Sequence, residues 1–124
     1  MCTLLVDTGA DISIVKSNVI NPSELVNINE NCSISEITQQ KLSTLGTITT
    51  NIICPDNTPI QHKFQIINDD FSIPTDGILG RDFLTKFRCT INYDAWILTV
   101  FHERNEIEFT IQDNLAGYRY TTKL

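Results

Sequence analysis

Two acidic side chains, Asp7 and Asp11, bracket Thr8-Gly9-Ala10 directly after the apolar run Leu4-Leu5-Val6. A carboxylate placed where a strand enters a core is costly unless something satisfies it. Glycine permits a sharp turn and the close approach of another backbone or a substrate. The Thr8 hydroxyl suits a hydrogen bond to neighbouring main chain, and Asp7 is left at the end of a strand, held by a sheet. A single carboxylate is a poor hydrolytic catalyst near neutral pH, whereas two that share a proton act as base and acid together. The chain contains one Asp-Thr-Gly, because Thr75-Asp76-Gly77 has the wrong order. A carboxylate dyad therefore requires a second copy of the chain. The structural alternative is an aspartate that caps its own turn through main-chain N–H groups. A metal site on Asp7 and Asp11 lacks further Asp, Glu or His support.

The elements that must hold this turn are mostly strands. Leu4 to Val6 reads as a short buried strand, and apolar character resumes at Ile12 to Val15. Asn21 to Asn31 is a polar loop broken by Pro22. From Cys32 to Cys54, dense β-branched residues alternate around Thr38-Gln39-Gln40, which predicts two antiparallel strands with a projecting turn. Pro55-Asp56-Asn57-Thr58 is a turn, so Pro59 to Ile67 should pair back as a further strand. Gly77 to Gly80 fits a brief buried strand. Phe83, Leu84 and Phe87 share one face of a short helix over about 81–87. Thr90 to Tyr93, Trp96 to Phe101 and Ile107 to Ile111 read as strands, with a turn in between the last two.

Composition places these elements in one mostly β domain. At 124 residues, 41% apolar and 19% charged, the chain is long enough for a single core. A net charge of -6 with nine scattered basic residues argues against nucleic acid as a partner. Cys2, Cys32, Cys54 and Cys89 form no C-x-x-C pair, and His62 and His102 are isolated, so no zinc spacing is present and no metal or other cofactor is expected. The thiols read as reduced and mostly buried, as in an intracellular protein. No secretory leader or membrane-length apolar stretch is legible, and the Asn31-Cys32-Ser33 sequon reads as chance. Trp96 reads as a core or interface residue, Cys89 as a buried thiol, and Asp69-Asp70 as a solvated turn.

The stretch LLVDTGADISIV, followed about seventy residues later by GILGRDFL, resembles the retroviral-type aspartic proteases, the retropepsins. The wording DGILGRDFL with C-x-I-x-Y beyond it is most similar to proteases of gypsy-type retrotransposons and errantivirus-like elements. The resemblance spans roughly Leu4 to Tyr93. It implies an all-β, closed-barrel acid protease fold, active as a homodimer, with residues 1–93 as the core and 94–124 as a C-terminal β extension of the same domain. It implies Asp7, Thr8 and Gly9 as the catalytic turn, with Thr8 bonding across the dimer. Ala10, Asp11, Ile12 and Ile78 would meet substrate, and a flap hairpin carrying Ser35, Glu36 and Ile37 would cover it. Arg81, with Asp82 beside it, would brace the loop by pairing with Asp11.

Two features depart from the family pattern. The hairpin tip SEITQQ has no glycine, although family flaps are usually glycine-rich. Only six residues precede Asp7, where retropepsins commonly have a further interface strand. Either the segment is a piece of a polyprotein or residues 96–124 replace that strand. The resemblance implies an endopeptidase that processes a retroelement polyprotein, inside the cell or in retroelement particles, without binding nucleic acid or membrane. A competing reading is a weak or inactive module kept for dimerisation or peptide binding. A nucleotide-binding ATPase is disfavoured by Ala10 and by the chain length.

Overall fold

The computed structural model describes residues 2–20, 26–28, 33–35, 41–114 and 117–122. Alternation of period two sets the main strands. In β1 (Cys2–Val6), Cys2, Leu4 and Val6 face the core while Thr3 and Leu5 face the other way. The longest pair is β6 (Gly46–Ile53) and β7 (Pro59–Ile67), joined through the turn at Pro55 to Thr58. Along β7, Ile60, His62, Phe64 and Ile66 point inward, so a histidine occupies one place in an apolar row.

The strand order places the Asp7 strand well inside a sheet. β1 lies between β8 (Gly77–Leu79), which runs parallel to it, and β13 (Gly117–Thr122), which runs antiparallel. Beyond β8 come β2 (Ile14–Lys16), then β7, β6 and the two-residue β3 (Val26–Asn27). Beyond β13 lies β12 (Gln112–Asn114), completing an eight-stranded sheet with β12 and β3 at its edges. A second sheet combines β9 (Thr90–Asn92), β10 (Ile97–His102) and β11 (Asn105–Thr110). The two sheets bury one cluster that unites Leu4, Val6, Ile52, Phe64 and Leu79 with Leu98, Val100, Ile107 and Phe109.

Among the described residues one α-helix, α1 (Arg81–Lys86), follows β8, and it and the residue after it bury Phe83 and Phe87 in that cluster. It is mostly a positioning device. Six residues are too few for a stable isolated helix, so tertiary contacts must hold it.

Several boundaries differ from those read in the sequence. The stretch 33–53 forms three strands rather than two: β4 (Ser33–Ser35) pairs with β5 (Lys41–Ser43) as a separate hairpin, and β6 begins after Thr44-Leu45. Gly46 makes the break possible with φ of 142°, and a side chain there would meet the Asn27 carbonyl oxygen at 2.6 Å. The hairpin tip, including Glu36 and Ile37, lies outside the described residues. Trp96 does not begin a strand; it sits in the turn after β9 with φ of 56°, where Asn92 Oδ1 accepts the Asp94 and Ala95 N–H groups. The strands β12 and β13 were not expected. Asp69-Asp70 is an exposed turn, as expected, and Asp69 Oδ1 in addition accepts from Ser17 Oγ and the Asn18 N–H, both at 2.7 Å.

Candidate active site

Asp7 leaves the sheet at the end of β1. Its N–H donates to the Leu79 carbonyl at 3.0 Å, which keeps its backbone in register with β8 for one residue beyond the strand. The chain then turns: Gly9 N–H donates to Asp7 Oδ1 at 2.9 Å, and Ala10 N–H donates to the Asp7 carbonyl at 3.3 Å. This is an Asx-type turn, in which the aspartate organises its own loop. It satisfies one carboxylate oxygen by a main-chain donor. Asp7 remains half-exposed, and Thr8 and Gly9 are exposed at the tip.

The return limb of the loop is held by the start of α1. The first N–H groups of a helix have no partner within it. Here Arg81 N–H donates to the Ala10 carbonyl at 2.7 Å and Asp82 N–H to the Asp11 carbonyl at 3.3 Å. The helix therefore completes its own hydrogen bonding by holding the loop. Gly80 has no side chain in the narrowest part of this contact, where the Ala10 and Ile12 carbonyls approach.

Asp11 and Arg81 form an ion pair through Asp11 Oδ1 and Arg81 Nη2. Both side chains are open to solvent, with 76% and 59% of their surface exposed. This is a surface pair, in which water screens both charges. With its carboxylate committed to a guanidinium, Asp11 is a poor candidate for a metal ligand. Among the described residues, no group of three or more His, Cys, Asp or Glu side chains could hold a metal ion.

Ala10, Ile12 and Ile78 meet on the sheet face opposite the main core. They belong to a second apolar cluster of Ile14, Ile67 and Ile78, against which Leu5, Ala10, Ile12, Phe71 and Ile73 pack half-buried. The register explains the grouping, since Ile14, Ile78 and Leu5 are directly paired across β2, β8 and β1. An apolar wall thus flanks the Asp7 turn. Ser35 ends the first arm of the β4/β5 hairpin, opposite Lys41.

Two residues at this site carried no signal in the sequence: Ser13 and His62. The Asp82 carboxylate accepts the Ser13 hydroxyl at 2.7 Å, the Ser13 N–H at 3.0 Å and the Phe83 N–H at 2.8 Å. His62 Nε2 stands 3.2 Å from its second oxygen. Burial pushes the Asp82 carboxyl upward, but the hydrogen bonds from His62 and Ser13 outweigh this and hold it at about 2. Ser13 Oγ also accepts the Gly80 N–H at 3.0 Å. A Ser, a His and an Asp in contact suggest a nucleophile, but Ser13 is 1% exposed and no substrate reaches it. Their separation in sequence, at 13, 62 and 82, hid the cluster from any motif reading.

The chain is similar to known proteins over most of its length. Residues 1–92 match the family model described as retroviral aspartyl protease. The chain is 41% identical over 115 residues to the retrovirus-related Pol polyprotein from transposon 412 of Drosophila melanogaster. That alignment covers 90% of this chain and only 9% of the polyprotein. Among solved structures, the retroviral protease-like domain of Ddi1 from Leishmania major superposes with a TM-score of 0.60 at 19% identity, covering 86% of this chain and 88% of that one. At that identity the likeness speaks for the fold alone.

Proposed function

Because the chain belongs to the retroviral aspartyl protease family, we propose that it is an aspartic endopeptidase whose two copies join their Asp7 residues into one catalytic dyad. One observation carries the reading: a half-exposed Asp7 carboxylate stands at the end of a buried central strand, in a turn stiffened from both sides. One Asp-Thr-Gly per chain supplies half of a dyad. A two-fold axis through the loop tips supplies the other half. Two carboxylates a few ångströms apart resist double ionisation, so one holds a proton while the other takes one from the attacking water. The protonated partner then assists departure of the amine.

In this reading Thr8 steadies the partner's loop across the axis. Gly9, Ala10 and Asp11 hold the substrate backbone, while Ile12 and Ile78 face its side chains. The hairpin carrying Ser35, Glu36 and Ile37 closes over them. Arg81 and Asp82 fix the loop from behind. The exposed rings of Tyr93 and Trp96, packed on the half-buried Tyr118 with ring centroids 5.3 and 5.6 Å from it, add apolar area to the dimer contact. Residues 94–124 act as a β extension of the same domain as 1–93, since Leu98, Val100, Ile107 and Phe109 share its core. The likeness to a Pol polyprotein favours a polyprotein substrate, processed inside the cell or in retroelement particles.

The test compares wild type with Asp7→Asn on a Pol-derived precursor, with and without pepstatin, over a concentration series. Discrete fragments are expected from wild type alone, with specific activity rising as dimer forms. A folded Asp7→Asn protein that cleaves at the wild-type rate refutes the reading. Wild type that dimerises and binds peptide without cutting it identifies a binding module instead.

A further inference from the structure

We propose that His62 is a positioning residue for the Asp7 loop, acting through a proton on Nε2 that it donates to Asp82. The inference rests on the peptidase reading only for its kinetic consequence. The geometry stands by itself.

His62 is 6% exposed and lies in the inward row of β7. Its ring is enclosed edge-on by Phe64, Phe83 and Phe87, with centroids 5.3, 5.1 and 6.3 Å away. Its Nδ1 is buried and has no hydrogen-bond partner. A side chain present only to fill space between three phenylalanines would carry no nitrogen, because a buried polar atom without a partner is destabilising. The nitrogen with a use is Nε2. It faces Asp82 Oδ2 at 3.2 Å and Ser13 Oγ at 3.3 Å. The Asp82 carboxylate is an acceptor, so Nε2 must be the protonated nitrogen.

This donor completes the coordination of Asp82. Oδ1 already accepts Ser13 Oγ–H and Phe83 N–H, and Oδ2 accepts Ser13 N–H. The fourth bond, from His62, fixes the rotation of the carboxylate plane. The carboxylate in turn fixes Ser13, whose Oγ accepts Gly80 N–H and whose carbonyl accepts Gln65 N–H at 3.0 Å. Ser13 is the far anchor of the loop that begins at Asp7, and the near anchor is the bond from Asp7 N–H to Leu79. His62 thereby links β7 to both α1 and the loop without touching a reacting atom. Small displacements of a catalytic group cost rate more than affinity when they spoil the attack geometry.

Three variants and one spectrum test the proposal. In wild type, imidazole nitrogen NMR should show His62 protonated on Nε2 with a slowly exchanging proton. His62→Leu fills the cage and removes the donor. It should retain the fold by circular dichroism and accelerate amide exchange at Asp7 and Arg81. Its kcat should fall about 10–100-fold with KM changed less than about threefold. His62→Gln, whose side-chain amide can donate to the same oxygen, should recover most of the loss in both readouts, whereas His62→Phe should not. A His62 proton found on Nδ1 alone overturns the proposal even if no variant folds. Loop exchange in His62→Leu equal to wild type also overturns it, as does failure of His62→Gln to improve on His62→Phe. Absence of peptidase activity in wild type sinks the enzymatic reading and leaves the exchange and NMR outcomes to decide the positioning role.

Discussion

Replacing Gly80 by alanine should destabilise the protein more than the same replacement at Gly9, on the other limb of the Asp7 turn. The added Cβ would lie 2.6 Å from the Ile12 carbonyl oxygen, 2.7 Å from its carbon and 3.0 Å from the Ala10 oxygen. These are backbone atoms, so no side-chain rotation relieves the clash. The start of α1 must instead separate from residues 10–12 by several tenths of an ångström. That movement stretches the bonds from Arg81 N–H to Ala10 and from Asp82 N–H to Asp11, now 2.7 and 3.3 Å. Overpacking of this kind costs about 1–3 kcal/mol. Two weakened main-chain bonds add up to about 1 kcal/mol each, and the stiffer unfolded chain of the alanine variant offsets about 0.4–1 kcal/mol. A net loss of about 2 kcal/mol is expected, with an upper end of about 4–5 kcal/mol, a large share of the roughly 5–15 kcal/mol that holds a domain. Urea unfolding at one fixed protein concentration should show a lower midpoint with an unchanged slope. Gly9→Ala serves as the control, because its Cβ meets only Asp7 Oδ1, at 3.3 Å. A Gly80→Ala midpoint equal to wild type, or a Gly9→Ala loss of the same size, would falsify the close-approach argument.

Three further outcomes follow from the site and the core. Arg81→Ala should cost less than about 1 kcal/mol in the same urea assay, since an exposed ion pair contributes little; a loss of several kcal/mol contradicts the exposure of Asp11 and Arg81. The Asp82 carboxyl is held at about 2, below its ordinary 3.8. Its contribution is therefore complete above the unfolded value and disappears as pH falls from about 4 through about 2, a loss of about 1–2 kcal/mol after allowance for partial exposure. Asp82→Asn should flatten that part of the acid stability curve, and a variant curve parallel to wild type would count against the hydrogen-bond cause. Burial pushes the thiols of Cys2 and Cys89 up to about 12 and that of Cys54 up to about 11. Alkylation mapped by mass spectrometry at mildly alkaline pH should spare all three in folded protein and modify them in urea; rapid labelling of the folded protein rejects the packing described here.

The parts of this architecture that were legible in the amino-acid order are those encoded locally. An apolar run ending in Asp7-Thr8-Gly9, a strand at Gly77 to Leu79 and a helix with Phe83 and Phe87 on one side each announce themselves within ten residues. The β6/β7 pairing follows equally from its turn. What stayed hidden is non-local or depends on solvent. β13 reads Gly-Tyr-Arg-Tyr-Thr-Thr, with polar residues on both faces, and becomes a strand because β1 offers it a free edge beside Leu4 and Val6. The cluster of Ser13, His62 and Asp82 draws on three elements that only the parallel pairing of β2 with β7 brings together. The spacing of Asp11 and Arg81 indicated that they could meet, but nothing in it told how much water would surround them.

The position of β1 has a consequence in time. Leu4 is flanked by Gly77 on one side and Tyr120 on the other. A ribosome adding about 5–20 residues each second needs on the order of 6–22 s to travel from Val6 to its partner Tyr118. Throughout that interval β1 has no second neighbour, and contacts of such long sequence separation close slowly even afterwards. Asp7 thus leaves the ribosome well before the strand that completes its sheet, and its turn is supported in full only once β13 has paired with β1.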